Sequence, residues 1–324
     1  MRELVRDVFA ATFAEGGVDA VLEDAAVLDL TPGSRLAFTT DTFVVVPLFF
    51  PGGNIGDLAI NGTVNDLAMM GARPIGLSVA MVIEEGFAMA KLEEIVATMK
   101  AAASAAGVRV VTGDTKVVAR GHADGIFINT SGVGEVPGDL RLSAAGLRPG
   151  DRLIVSGPIG DHGIAVMSRR SGLSFEADIV SDTAPLVDLV ATLLEGATPG
   201  AVHALRDPTR GGLAAALCEF SEDSKVAIDL QESAIPVRPV VRAACETLGL
   251  DPLHVPCEGR FLAAVAGDQA EALLERLRGH PAGRDAAIIG EVREGQRPEV
   301  ILKTSIGGSR LVDLPAGELL PRIC

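Results

Sequence analysis

Tryptophan and tyrosine are absent from this 324-residue chain, and phenylalanine occurs only 11 times. Its cores must therefore be built from aliphatic side chains, and the abundance of Ala, Val, Leu and Gly points to a compact α/β or α+β protein. Cysteine is scarce: Cys218, Cys245, Cys257 and Cys324 show no C-x-x-C spacing, which argues against a zinc site and a disulfide framework. Three of them are expected to pack as small hydrophobes. The fourth is the last residue of the chain, where no core is expected to enclose it. Positive charge is also short, with 28 Lys plus Arg against 43 Asp plus Glu and a formal charge of −15. Such a surface repels nucleic acid and anionic membranes.

Several familiar signatures are missing. The N-terminal MRELVRDVFAATFAEGG has acids among its apolar residues and no continuous apolar run, so it reads as neither signal peptide nor membrane helix, and a cytoplasmic protein is expected. The histidines His122, His162, His203, His254 and His280 show neither H-x-x-x-H nor H-E-x-x-H spacing. No G-x-S-x-G and no G-x-x-x-x-G-K-[ST] occurs, and the glycines of GPIGDHG are not spaced as a dinucleotide-binding fingerprint.

What is present is ample for real cores: 48% of residues are hydrophobic, and the length suggests two domains. LAFTTDTFVVV at 36–46 reads as a strand, and PGGNIGDLAINGTVNDLAMMGARP as a Gly-rich turn opening a helix closed by Gly71 and Pro74. Asp57, Asn61 and Asn65 give that helix a polar face. Residues 88–106 read as a helix ended by Gly107, followed by strands in VRVVTGDTKVV and GIFINTSGVGEV. The second half mixes helical patterns near 183–195, 209–221, 239–248 and 268–278 with strands near 152–156, 226–230, 261–266, 286–292 and 299–304. The absence of a strict βαβ rhythm favours α+β. The expected domains are 1–149 and 150–314. The tail 315–324, PAGELLPRIC, has two prolines and no periodicity, and is expected to be an extended, mobile arm.

Acidic residues recur in short loops beside Gly and Thr: Glu23 and Asp24, Asp41, Asn65 with Asp66, Asp114 and Asp207. Hard oxygen ligands in such settings suit Mg²⁺ shared with substrate phosphates, although each acid alone serves as well to cap a helix or make a turn. The loop Gly52, Gly53, Asn54 ahead of a helix offers N–H groups to a phosphate, or is simply a turn. In GDTK, Asp114 and Lys116 flank Thr115 and share one face if the segment is extended. Glu258 in CEGRF is a candidate general base or, as a lone Glu, simply a surface residue.

These motifs in this order resemble the HypE family of hydrogenase maturation factors, carbamoyl dehydratases of the PurM-like (aminoimidazole ribonucleotide synthetase-related) ATP-binding superfamily. The similarity runs through PLFFPGGNIGDLAINGTVNDLAMMGARP, VVTGDTKVVARG, FINTSGVGEVP, VSGPIGDHG, RDPTRGGL, CEGRF and the terminal PRIC. The chain begins at MRELVRDVF, where family members commonly carry a His/Gly/Ser-rich stretch, and has Cys257 where the family often has Asn.

The resemblance implies a two-domain α+β PurM-like fold whose N-terminal sheets pair in a homodimer, with Mg²⁺ and ATP as cofactors. It implies Asp24, Asp41, Asp66 and Asp207 as metal-holding residues, and Gly52, Gly53, Asn54, Asn65, Asp114 and Thr115 as nucleotide-binding ones. HypF would load a carbamoyl group onto Cys324. Glu258 and Lys116 would then help dehydrate it to a thiocyanate for delivery to the HypC–HypD complex and the iron of a [NiFe] hydrogenase. Other superfamily enzymes, such as selenophosphate synthetase or thiamine monophosphate kinase, do not account for PRIC. A non-catalytic assembly scaffold is the alternative of a different class.

Overall fold

The structure, a computed structural model, describes residues 26–31, 33–172, 179–314 and 320–324. Two sheets organise it. The first has the order β1-β2-β7-β5-β6, from strands β1 (Ala26–Thr31), β2 (Ser34–Phe43), β5 (Arg73–Glu84), β6 (Val110–Val118) and β7 (Ile126–Pro137). All its pairings are antiparallel except β5 with β6, which are parallel and joined through α2 (Met89–Ala105). A two-stranded ribbon, β3 (Phe49–Phe50) with β4 (Gly53–Asn54), leads into α1 (Ile55–Met69).

The second sheet has seven strands in the order β14-β13-β10-β12-β8-β11-β9. They are β8 (Arg152–Val155), β9 (Val202–Arg206), β10 (Ala227–Gln231), β11 (Leu262–Val265), β12 (Ala287–Arg293), β13 (Glu299–Lys303) and β14 (Ser309–Leu311). Around it lie α3 (Asp161–Ser171), α4 (Val187–Gly196), α5 (Gly212–Ser224), α6 (Pro239–Leu248) and α7 (Ala270–Arg278). Helices and strands are mixed in both halves, as the irregular rhythm predicts.

Burial alternates cleanly along the first sheet. Ala37, Thr39 and Phe43 of β2 and Ile126, Ile128 and Thr130 of β7 are buried, whereas Phe38, Thr40 and Thr42 are exposed. The period-2 side-chain rule thus gives the sheet one face covered by α1 and one open face. Aliphatic packing carries the cores, and Cys218, Cys245 and Cys257 are all buried within them.

Two sequence expectations need correction here. The polar face predicted on α1 is not solvated: Asn61 and Asn65 are 4% and 1% exposed, because α1 is wedged between the first sheet and the second domain. Asn65 tolerates that position because backbone groups of the connection before α4 satisfy its amide, whereas Asn61 donates to the Thr183 hydroxyl at 3.2 Å and its Oδ1 has no partner among the described residues. The tail is not a free arm at its end. Ile323 is 1% exposed, and residues 322 and 324 pair with the chain beyond β2, Val44 N–H to the Cys324 carbonyl at 3.2 Å and Val46 N–H to the Arg322 carbonyl at 3.1 Å. Residues 315–319 of the predicted arm lie outside the described residues. Strands β5 and β9 and helix α3 were not read from the sequence at all.

The α1–α2 contact depends on Gly56. A Cβ there would stand 2.4 Å from the Ile95 carbonyl oxygen and 2.8 Å from Thr98 Oγ1. Gly56→Ala is therefore expected to lower the unfolding free energy by about 1–3 kcal/mol, the usual range for overpacking, as read by urea denaturation; an unchanged midpoint would contradict this packing.

Candidate active site

Helix α1 starts because Asn54 caps it. Asn54 Oδ1 accepts from Gly56 N–H at 2.8 Å, and Asp57 Oδ1 accepts from Asn54 N–H at 2.8 Å, a reciprocal capping box. Ile55 N–H goes to the Leu48 carbonyl at 2.9 Å. The donors at this helix start are thus turned inward. Gly52 packs on the 180–181 segment, where Ser181 N–H meets the Pro51 carbonyl at 2.8 Å. Gly52, Gly53 and Asn54 thus form the turn, the short strand and the cap that lead into α1.

One turn and more along α1, the chain builds the centre of the site. Asn65 Nδ2 donates to the carbonyls of Ala184 at 3.1 Å and Glu258 at 3.2 Å, while its Oδ1 accepts from Leu186 N–H at 2.8 Å. One amide thereby ties α1, the α3–α4 connection and the loop before β11 together. Glu258 N–H donates to Asp182 Oδ1 at 3.0 Å. The two segments touch so closely that a Cβ on Gly259 would lie 1.8 Å from the Asp182 carbonyl oxygen, so only glycine fits. Cys257 N–H donates to the Pro208 carbonyl at 2.9 Å, bringing the loop of Asp207 against the same place.

Glu258 is 3% exposed, and its Oε1 has no hydrogen-bond partner among the described residues. Burial, and then the negative charges of Asp207, Asp182 and Asp41, push its carboxyl well above the usual carboxylate range, with Arg210 pulling in the opposite direction. Asp41 is itself raised by burial, offset by the Thr42 N–H and by Arg210. Asp66 accepts from the Thr39 hydroxyl at 2.8 Å, on the same face of β2 as Asp41. Asp41, Asp66, Asp207 and Glu258 are thus gathered where α1, β2 and the second domain meet. Arg210, in the DPTRGG loop, and Asp182 belong to this electrostatic centre and were missed in the sequence, although Arg210 lies inside a motif singled out there.

Lys116 and Asp114 stand apart. They pair with each other at 2.8 Å on edge strand β6, with side chains 70% and 63% exposed. The Lys116 contact and the Thr115 N–H hold the Asp114 carboxyl below its ordinary range. The register places Thr42, Asn129, Ala80 and Asp114 in one cross-strand row, so Asp114 and Lys116 rise from the open face, while Asp41 faces α1. Thr115 alternates to the other side. Asp24 and Glu23 lie outside the described residues.

Beneath Glu258, Asp161 is pushed up to about 6 by burial, against the opposing pull of Arg238, whose Nε donates to it at 2.7 Å. Arg260 Nε stands 3.7 Å from Asp182 Oδ2, close enough for ion pairing and too far for a hydrogen bond. The Cys257 thiol, buried and beside these acids, is held far from thiolate, and its sulfur accepts from Gly160 N–H at 3.2 Å. An open cleft of about 620 Å³ elsewhere on the second domain is lined by Asp151, His203 and Gln269 and by none of the predicted site residues. Among the described residues no three His, Cys, Asp or Glu side chains enclose a metal ion by themselves, and no helix is long and apolar enough to cross a membrane.

Comparison with known proteins places this geometry in a class. Residues 22–136 match the N-terminal domain, and residues 148–303 the C-terminal domain, of the AIR synthase related proteins, so the chain has the two-domain α+β PurM-like fold. A carbamoyl dehydratase HypE from Bradyrhizobium diazoefficiens is 53% identical over 324 residues, covering 100% of this chain and 93% of that protein. The crystal structure of a HypE–HypF complex aligns with a TM-score of 0.90 at 47% identity over 96% of this chain and 99% of that one. A HypE structure in complex with ATP aligns at 0.86 and 47% identity, over 99% and 96%. Within the AIR synthase related class, this chain belongs to the HypE family of carbamoyl dehydratases.

His162 offers a test of the site's framework. It is fully buried, and burial depresses it to about 4, opposed only by the Ile323 carbonyl. Its neutral form is favoured on folding, so its contribution is complete above the unfolded value near 6.5 and is lost as pH falls toward about 4. In urea titrations, wild type should lose about 3 kcal/mol relative to His162→Gln across that window. Asp161 has the opposite sign, because a raised carboxyl favours the acid side, but it is common to both proteins. Parallel pH profiles would refute the buried neutral imidazole.

Proposed function

We propose that this chain is an ATP-dependent carbamoyl dehydratase of hydrogenase maturation, and that it converts a thiocarbamate carried on Cys324 into a thiocyanate. The observation that carries this reading is the orphaned, buried Glu258 carboxyl among Asp41, Asp182 and Asp207, with the chain terminus docked just beyond Asp41 on the same stretch of chain. A scaffold would have no reason to keep a buried acid raised by its neighbours. Functional sites collect such groups.

In the reaction, the thiocarbamate oxygen attacks the γ-phosphorus of ATP, the bond to ADP breaks, and the oxygen becomes part of a phosphate leaving group. Its departure breaks the C–O bond while the nitrogen lone pair forms C≡N. The nitrogen gives up two protons in all, and the net products are thiocyanate, ADP and phosphate. Glu258 removes the last nitrogen proton as phosphate leaves. Once ionised, its carboxylate can accept that proton, and its dry surroundings keep water from the activated carbon.

The acid-rich centre fits a divalent cation with nucleotide phosphates. Asp41 and Asp207 both act on Glu258, Asp66 is held by Thr39 on the Asp41 face of β2, Arg210 is a cation whose field reaches both Asp41 and Glu258, and phosphates would complete a coordination that these side chains alone do not. When bound there, Mg²⁺ would neutralise phosphate charge and lower the proton affinity of Glu258. In this reading Asp24 would supply a further ligand to the cation.

Lys116, Asp114 and Thr115 enter through a homodimer. Among the described residues their strand is the edge of the sheet, and exposed Val110, Val111 and Val117 together with the open face of the sheet make a surface that a second copy would close. Lys116 would then orient the thiocarbamate oxygen or the phosphate. This arrangement is consistent with domains at 1–149 and 150–314. In the cytoplasm, a HypF-type carbamoyltransferase would load Cys324 and a HypC–HypD-type complex would accept the cyano group. The HypE structures solved with ATP and with HypF support the nucleotide and that first partner.

Mass analysis of the C-terminal peptide tests the proposal. A carbamoylated Cys324 should lose one water only with Mg-ATP. Glu258→Gln should keep the adduct and ATP binding but slow water loss by about 10²–10⁴-fold, the span expected for a general base. An adduct that persists in wild type with Mg-ATP would favour the scaffold instead.

A further inference from the structure

Two side chains of α3 hold the docked chain end, and neither has a role in the reaction described above. Arg170 donates from Nη1 to the Pro321 carbonyl at 2.8 Å and from Nη2 to the Arg322 carbonyl at 2.6 Å. The same guanidinium donates to the Val46 carbonyl from Nε at 2.8 Å and Nη2 at 2.6 Å, thereby bridging the tail and the chain it pairs with. His162 Nε2 lies 2.8 Å from the Ile323 carbonyl. A carbonyl only accepts, so the imidazole proton is on Nε2. The other nitrogen, Nδ1, must then accept, and it faces the Ser181 hydroxyl at 2.8 Å, whose oxygen in turn accepts Thr183 N–H at 3.1 Å. Phe50 closes the imidazole edge-on at a centroid distance of 5.4 Å.

We infer that Arg170 and His162 form a latch that recognises three successive backbone carbonyls of the tail, Pro321, Arg322 and Ile323, with Ser181 fixing the imidazole in the donating tautomer. The inference deepens the proposed function in one respect, since it rests on that reading for the cargo on Cys324. Because the latch reads main chain and buries Ile323, it does not touch the thiol's substituent. Cys324 itself packs at the edge of a hydrophobic core, but the hydrogen bonds of the latch are the same for the thiol, thiocarbamate and thiocyanate forms of the tail. A carrier that must enter with one group and leave with another needs such indifference.

The latch is also joined to the catalytic segment. Ser181 and Thr183 flank Asp182, which accepts from Glu258 N–H at 3.0 Å, and Asn61 Nδ2 reaches Thr183 Oγ1 at 3.2 Å. The hydrogen bonds that hold the imidazole and those that hold the base thus meet on the adjacent residues Ser181 and Asp182, and Arg170 acts through the tail it grips, which makes both positioning residues, not catalytic ones. Arginine is required rather than lysine, because one planar fork serves carbonyls of two chain segments at once.

The test is the rate at which iodoacetamide alkylates Cys324 in the full-length protein, read from the mass of the C-terminal peptide. The buried Cys218, Cys245 and Cys257 serve as internal controls for folding. Arg170→Gln should speed Cys324 alkylation about tenfold or more, as loss of charge-assisted hydrogen bonds implies, and Arg170→Lys should not restore protection. Ser181→Ala, which touches no tail atom, should speed it a few-fold by releasing the tautomer. Alkylation at the wild-type rate in Arg170→Gln, or full protection in Arg170→Lys, overturns the latch; wild-type behaviour of Ser181→Ala overturns the relay through the imidazole. If Arg170→Gln exposes the buried cysteines, Arg170→Lys alone decides. Labelling needs neither ATP nor a carbamoyl group, so its outcome is independent of whether water loss occurs.

Discussion

The structure turns on one unfavourable placement: a glutamate carboxyl surrounded by other acids and sealed from water, with no partner for one oxygen among the described residues. Burying such a group is tolerated only if it stays protonated or if a cation arrives, so the site is poised between two charge states. Much of the molecule serves to hold Glu258 there. Asn65 binds its carbonyl, Asp182 binds its N–H, and Gly259 lets the 182–184 segment press against it. These contacts come from both domains. The interface between the two sheets is therefore the site itself, and α1 is its common wall.

The α+β class, the helices at 55–69, 89–105 and 239–248 and most strands of the second half were legible because each shows clear periodicity between Gly and Pro punctuation. Helix α3 was hidden because it opens with a glycine-rich turn that reads as a loop. The burial of Asn61 and Asn65 was unreadable for a different reason: a polar stripe looks the same in sequence whether water or a neighbouring backbone satisfies it. The acids Asp41, Asp66, Asp207 and Glu258 could be singled out as types in loops, but their convergence depends on crossovers that no local pattern encodes. For Asp114 and Lys116, spacing gave their shared face and not which face of the sheet that would be.

The chain end shows the same limit. PRIC lacks any periodicity, and a short apolar residue near a terminus carries little local signal. Its docking arises from long-range partners, Val44 and Val46 in one domain and His162 and Arg170 in the other, so it becomes visible only once both are folded together. What the tail gains is a defined resting place on the stretch of chain that follows Asp41, held by bonds to its main-chain carbonyls. The hydrogen bonds that hold the tail and those that hold Glu258 meet at Ser181 and Asp182, adjacent residues of one segment.

The charge state of Glu258 tests this account most directly. Infrared difference spectra between wild type and Glu258→Gln, taken near neutral pH without nucleotide, should contain the carbonyl band of a protonated carboxylic acid, and adding Mg-ATP should convert that band to carboxylate. A Glu258 already ionised in the nucleotide-free protein would contradict the claim that burial and its acidic neighbours hold this base in reserve.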